Sequence, residues 1–325
     1  MNILVFGGTG FVGLNIANAL LTRGHTVTLF DRAGLPQAAQ RAFAAYGERL
    51  TVVTGDVLDR ASVDSVIAAG FDTAILGAAI TAGPERDAAD PETILQVNLL
   101  AQTPILLAAR KHGVKRVINL SSAGAYGDSA FRYPLLDEET PCDPVSIYAI
   151  TKFASEKVAA RLASLWQSDF VSVRLSGVFG PWERGTGVRD TLSPQAQMLA
   201  ALAANAEAVL PRPGVRDWIY APDVADAIGV LVEAAKPQHR LYNITTATPW
   251  SALEWGQALA KFNPGFTCRL ATAHDTPTID LHSNADRAPM SAARLDNEFG
   301  WRAKFGCADS VADLMAWSQR HSEGT

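Results

Sequence analysis

Apolar residues in this chain come in short runs, separated by longer stretches in which they recur every three or four positions. The first run, ILVF at 3–6, leads into FVGLNIANALLTRG, whose apolar spacing is helical and which stops at Gly24; TVTLF at 26–30 follows as a short β-branched run. The alternation continues through LTVVTG at 50–55, a helix over about 59–69, DTAILGAA at 72–79, and a long helix from Pro91 to about His112. RVINLSS at 116–122, a helix from about Ile147 to Trp166 and DFVSVRLS at 169–176 complete it. Parallel strands need crossovers, and the crossover helices bury both faces of the sheet. The pattern therefore predicts a doubly wound α/β fold with its parallel sheet in residues 1–176.

Past Ser176 the rhythm weakens at GVFGPWERGTG and PRPGVRDW, and helices are expected near 223–235, 251–262, 291–299 and 309–320. Residues 177–325 should mainly form a smaller substrate-binding lobe, with some later segments returning to the sheet. Such a lobe would fold over the strand ends, where open α/β sheets bind ligands.

Composition narrows the partners. A chain of 325 residues with 48% hydrophobic content can bury a large core, and a net charge of -5 argues against a nucleic-acid or anionic-membrane surface. Cys142, Cys268 and Cys307 are odd in number, far apart and in no CxxC pair, which suggests a reducing compartment and no zinc site. The apolar start lacks a basic region and is soon broken by glycines, so it reads as a strand, not a signal peptide. No run reaches the ~18 apolar residues of a membrane span. The expectation is a soluble, cytoplasmic protein acting on a small molecule.

The first strand ends in Gly7-x-x-Gly10-x-x-Gly13, and the next helix starts there. This is the spacing of the Rossmann dinucleotide fingerprint: a tight turn, a close backbone approach to a pyrophosphate, and a helix packed near its strand. The helix start, with Phe11 and Val12, supplies free N–H groups and a partial positive charge. Asp31, 18 residues after Gly13, can bind a ribose diol and repel a 2′-phosphate, which favours NAD; Arg32 beside it keeps NADP open. Asp56, followed by Val57, is placed for the adenine amino group or, alternatively, to cap the next helix.

SIYAITKFASEK puts Tyr148 and Lys152 at i and i+4 on one helix face, after a strand ending in NLSSAGAYG that offers Ser122. Removing a carbinol proton needs a base, and a phenol with a pKa near 10 serves poorly unless a nearby ammonium and an oxidised nicotinamide favour its phenolate. Lys152 would tune Tyr148 and Ser122 would hold the reacting oxygen.

With GGTGFVG, Asp31, GDV at 55–57, LGAA at 76–79, Asn98, SSAGAYG, YAITK, FGP at 179–181, RDWIYAPDVADAI from Arg216 and FGW at 299–301, the sequence resembles the extended short-chain dehydrogenases/reductases. That family includes the nucleotide-sugar epimerases and dehydratases. The resemblance implies a cofactor cleft lined by Gly77, Ala78 and Ala79 with Asn98 nearby, catalysis by Ser122, Tyr148 and Lys152, and a substrate-holding C-terminal lobe. It also implies a homodimer built on the helices near 91–112 and 147–166.

Three departures bear on the reaction. Ala123 and Gly124 stand where sugar dehydratases carry an acid/base pair, so elimination of water is not expected. Gly177 replaces an asparagine that contacts a diphosphate, and the late segment TIDLHSNADRA offers only Arg287, out of register. Arg216 matches a phosphate-contacting arginine, while Arg184, Arg189 and Arg212 are loop candidates for an anionic substrate that Asp190 and Asp217 would partly neutralise. Trp182 and Trp218 read as lobe core. His274, Asp275, Asp280 and His282 fit no standard metal spacing and read as a polar loop.

The expected function is hydride transfer between nicotinamide and a carbinol or ketone carbon of a sugar-like or polyhydroxylated substrate, such as a sugar acid. The alternative is a UDP- or dTDP-sugar 4-epimerase. A non-catalytic NAD(P)-sensing protein is the third reading, and the intact Ser122, Tyr148 and Lys152 argue against it.

Overall fold

The computed structural model describes residues 1–322. Seven strands form one parallel sheet: β1 (Asn2–Phe6), β2 (Thr26–Asp31), β3 (Leu50–Thr54), β4 (Thr73–Leu76), β5 (Arg116–Ser122), β6 (Asp169–Leu175) and a later strand, Leu241–Ile244. Their order, β3-β2-β1-β4-β5-β6 and then Leu241–Ile244, reverses direction between β1 and β4, the switch point at which such sheets bind ligands. Every pairing in it is parallel. This is the doubly wound Rossmann sheet expected from the alternation, continued by one strand from beyond residue 177.

Strand residues alternate between two cores, as a sheet buried on both faces requires. Ile3 and Val5 pack with Leu29, Ile118 and Val173 beneath α1 (Phe11–Thr22), α2 (Gln37–Phe43) and α9 (Ala221–Glu233). Leu4 and Phe6 face the opposite way, onto α3 (Arg60–Ile67), α6 (Gln102–Lys111) and α7 (Ile147–Trp166).

The helices start where local chemistry allows. Asp59 caps α3 by accepting from Ala61 N at 3.0 Å, so capping falls to Asp59 and leaves Asp56 free for another role. Ser146 caps α7 through Ala149 N at 3.2 Å, and Gln167 ends that helix in the left-handed conformation.

The long helix expected from Pro91 to His112 is broken. Before it, α4 (Pro84–Ala89) stands alone; α5 (Pro91–Leu95) then runs into a π turn at 96–100 before α6 begins. Pro104 has no N–H to give to the carbonyl of Leu100, and the side chain of Asn98 is held by Ile80 N at 2.8 Å and Ile80 O at 2.9 Å. Strand β4 also stops earlier than expected, because after Gly77 the chain turns across the glycine loop.

Beyond β6 a separate core, the second lobe's own, gathers Phe179, Trp218, Tyr220, Trp255, Leu259 and Leu281. It is framed by β7 (Val178–Phe179), α8 (Pro194–Ala203), β8 (Ala208–Leu210), β9 (Val215–Arg216) and β10 (Ile219–Tyr220). After α9 come β11, the seventh sheet strand, β12 (Trp250–Ser251), α10 (Ala252–Phe262), β13 (Cys268–Leu270), α11 (Ala293–Phe299) and α12 (Cys307–Ser322). Trp218 belongs to this lobe core, whereas Trp182 packs in the sheet core, edge-on to Trp317 at 4.8 Å. Among the described residues no helix is long and apolar enough to cross a membrane.

Candidate active site

Gly7 has a φ of +72°, and a Cβ there would stand 2.6 Å from the backbone nitrogen of Ala78. At Gly13 a Cβ would come within 2.4 Å of Gly7 O, so α1 can approach β1 this closely only with glycine. The far side of Gly10 is open: its Cβ would meet nothing nearer than Gly7 O at 3.3 Å. No side chain caps α1, whose first N–H groups face a cavity of about 210 Å³.

Gly7, Gly10, Phe11, Val12, Gly13, Asp31, Arg32, Asp56, Val57, Gly77, Ala78, Ala79, Tyr148 and Lys152 all line that cavity. Asp31 accepts from Thr9 N at 3.1 Å, which fixes its carboxylate beside the glycine turn. Asp56 accepts from Leu58 N at 2.9 Å. Asn98 lies away from the cavity, because its amide is spent bracing Ile80 and, at 3.3 Å, Thr151. An uncapped helix start, a carboxylate at the second strand end and a glycine turn without side chains fit a dinucleotide.

Ser122 ends β5, and its Oγ accepts from Gly124 N at 3.1 Å. Tyr148 lines the cavity with Lys152. Burial raises its phenol pKa; the Ser122 hydroxyl, the charge of Arg189 and the Thr81 hydroxyl pull it back. The sequence pattern names Lys152 as the tuning cation, yet the one that acts on the phenol here is Arg189. Lys152 Nζ instead donates to Leu120 O at 2.9 Å and lies 5.8 Å from the Tyr148 ring centre. Burial pushes the Lys152 ammonium down to about 8, opposed by the carboxylate of Glu156 one turn further on.

Glu156 forms a two-pronged pair with Arg174, at 2.9 and 2.7 Å, that ties α7 to β6 within the core.

The loop arginines divide by partner. Arg184 donates to Thr9 O at 3.0 Å and feels the charge of Asp31, which places it at the cofactor end of the cleft and not with the substrate lobe. Arg189 pairs with Glu183 at 3.2 Å and lies over the Phe11 ring, 5.5 Å away. Arg212 is paired with Asp286. Arg287, the residue out of register, is bound to Asp217 at 2.8 Å and to Ser176 Oγ at 2.7 Å. Asp217 therefore neutralises Arg287, and Asp190 neutralises Arg86 at 3.0 Å; neither pairs with the arginines expected from sequence.

Arg216 alone of the substrate candidates on that side has no carboxylate within ion-pair reach among the described residues; it stacks 4.8 Å over Trp218. Burial and the neighbouring Arg287 push its guanidinium down to about 9, the environment of a cation awaiting an anion. Gly177 contributes no side chain because Trp218 fills the space: a Cβ at 177 would lie 2.5 Å from the indole.

His282, missed as a site residue, sits on a strained loop at φ +65°. Although the residue is exposed, partial burial of its ring, then the charges of Arg216 and Arg189, push its imidazole down to about 4. Arg189 acts on both Tyr148 and His282, and Arg216 acts on His282, so their charges are felt across this side of the site. Asp275 is engaged by Arg269 at 2.7 Å, and among the described residues no three His, Cys, Asp or Glu side chains gather to hold a metal.

The sheet order, the switch-point cleft and the second lobe define a dinucleotide-binding α/β protein. Residues 3–245 match the model of the NAD dependent epimerase/dehydratase family, and the chain belongs to that family. It is thus an NAD-dependent enzyme of the epimerase/dehydratase class, and NAD is the cofactor its cleft is built to hold.

Among known relatives, the UDP-glucose 4-epimerase of Bacillus subtilis (strain 168) is 27% identical over 100% of this chain and 98% of its own length. The dTDP-glucose 4,6-dehydratase of Mycolicibacterium smegmatis is 28% identical over 70% of this chain and 67% of its own. The crystal structure of UDP-glucose 4-epimerase from Bifidobacterium longum, in complex with NAD+ and UDP, superimposes with a TM-score of 0.82 at 26% identity, covering 100% of both chains.

Proposed function

We propose that the protein transfers a hydride at a carbinol or ketone carbon of a small polyhydroxylated substrate, with Ser122, Tyr148 and Lys152 as its catalytic set. The observation that carries this reading is the position of Tyr148: in the lining of the cofactor cavity, its hydroxyl beside Ser122 and Thr81 and under the charge of Arg189. NAD, when bound, supplies the hydride acceptor. The Tyr148 oxygen takes the carbinol proton, Ser122 orients the substrate oxygen toward it, the charge of Arg189 favours the phenolate, and the Lys152 ammonium would hold the nicotinamide ribose. Residues beyond 177 that do not return to the sheet are proposed to hold the substrate, and Arg216 its anionic end.

A sugar acid or its lactone suits that site better than a nucleotide sugar. Among the described residues Arg216 is the one unpaired cation there, while Arg287 and Arg212 are already neutralised and Trp218 fills the position of a side chain at 177. The second reading, a UDP- or dTDP-sugar 4-epimerase, is favoured by full-length similarity to UDP-glucose 4-epimerases. We propose a homodimer as well: Leu95, Leu100, Leu107 and Ile150 are exposed on the π-broken helix and on α7.

Calorimetric titration of NAD-loaded protein with UDP, dTDP and a panel of sugar acids separates the readings. Sugar-acid binding that Arg216→Ala weakens by about ten- to a hundredfold, the worth of a charge-assisted bidentate contact, supports the first. Micromolar binding of UDP or dTDP with no response to any acid would put the epimerase in its place.

A further inference from the structure

The segment between β7 and α8 crosses the cofactor cavity. Arg184, Thr186, Val188 and Arg189 line it together with the glycine turn. Three sets of contacts hold the segment down. Thr81 N donates to Val188 O at 2.7 Å and Asp190 N returns a bond to Thr81 O at 3.1 Å, so that Thr81 and Arg189 pair like a fragment of parallel sheet. The Asp190 carboxylate accepts from Gly83 N at 2.9 Å and pairs with Arg86 at 3.0 Å, while Arg86 also donates to Gly187 O at 2.8 Å. At the other end Arg184 reaches the glycine turn itself, donating to Thr9 O at 3.0 Å.

Arg184 is half-buried and has no carboxylate within ion-pair distance among the described residues. Its other bond is to its own loop, at Trp182 O, 3.3 Å away. Thr9, whose carbonyl it touches, donates its N–H to Asp31, the carboxylate placed for the adenosine ribose. An unpaired guanidinium is therefore fixed over the ribose and phosphate end of the cavity, beside the uncapped start of α1.

We propose that residues 182–191 are a strap over the cofactor. Arg184 binds the adenosine-side ribose and pyrophosphate, groups that NAD and NADP share, and the dinucleotide leaves only when the contacts of Thr81 and Asp190 open. This inference depends on the cofactor and not on the choice of substrate. Its consequence concerns the net reaction. An enzyme with net redox turnover must release reduced cofactor every cycle, and a closed strap slows that step. One that returns the hydride to its substrate keeps the cofactor throughout.

The strap can be locked without touching the cavity. A Cβ placed on Gly83 would lie 3.9 Å from Asp190 Cβ, within the span of a disulfide. In Gly83→Cys/Asp190→Cys the oxidised and reduced forms are the same polypeptide, so their difference reports the bridge and not misfolding. Exchange of bound NAD against labelled NAD should be at least about tenfold slower when oxidised than in wild type, and faster than wild type when reduced, because the Asp190 anchor is lost. Oxidised wild type controls for the three native cysteines.

Arg184→Ala should weaken NAD and NADP alike, by about ten- to a hundredfold, with Arg184→Lys recovering part of the loss. Equal exchange rates in the oxidised and reduced double variant, failure of the bridge to form, unchanged cofactor affinity in Arg184→Ala, or a loss confined to NADP would each overturn the proposal.

Discussion

Glu156→Gln tests how the buried frame of α7 serves the chemistry at its start. Glu156 binds Arg174 through both oxygens, and the two side chains are 5% and 2% exposed. Arg174 already has one buried nitrogen, Nη1, with no hydrogen-bond partner among the described residues, and its guanidinium lies 4.4 Å over the Tyr126 ring. Removing one partner of such a buried pair costs about 3–5 kcal/mol. With an unfolding entropy of about 2.1 cal/mol/K per residue, a chain this size loses about 1.5 °C per kcal/mol, so Tm should fall by about 4–7 °C.

The second effect is on Lys152. Glu156 is the charge that opposes the burial holding that ammonium at about 8. Without it the lysine pKa falls further. The ammonium is the form that would donate to the cofactor's ribose, so activity is lost as pH rises through this pKa, and the alkaline limb of kcat/KM should move to lower pH. At the acidic end of the profile the variant should approach wild type. Differential scanning calorimetry and a pH–rate profile measure both. A Tm within a degree of wild type, or a lower Tm with an unmoved alkaline limb, would refute the link between this ion pair and Lys152.

Two further outcomes are expected. Asp31→Ala should weaken NAD more than NADP, since the carboxylate held by Thr9 N both binds a ribose diol and repels a 2′-phosphate; fluorescence titration with both cofactors checks it, and an unchanged preference would show that Asp31 does not face the ribose. His282, held neutral down to about pH 4 by burial and by the charges of Arg216 and Arg189, should rise in pKa when an anion binds those arginines. Binding of an anionic substrate near pH 5 should then take up a proton, visible by calorimetry in buffers of different ionisation enthalpy and absent in His282→Asn.

What could be read from the sequence was whatever one element decides by itself. The glycine turn is a single strand-turn-helix unit, Tyr148 and Lys152 share one helical turn, and the first six sheet strands announce themselves by their own apolar runs, whereas the seventh, Leu241–Ile244, does not. What could not be read was the choice of partner across the fold. Arg184 and Arg216 are both loop arginines beside a tryptophan in sequence, yet one reaches back to Thr9 and the other stacks on Trp218. Arg287 looks displaced along the chain, and only the packing of its loop on β9 and β10 shows it spent on Asp217. Asn98 carries the family pattern but turns to Ile80, because the π turn around it redirects its side chain. Thr81 and His282 gave no local signal at all; both enter the site through loops whose course the tertiary structure sets.

The most direct test of the central claim is single-turnover reduction of bound NAD in Tyr148→Phe. The substitution removes one oxygen from the cavity lining and leaves the ring, Lys152 and the glycine turn in place. NAD should bind with near wild-type affinity while the rate at which substrate reduces it, followed by nicotinamide absorbance, falls by at least about a hundredfold, the usual contribution of a positioned general base. A rate close to wild type would contradict that claim and remove Tyr148 from the chemistry.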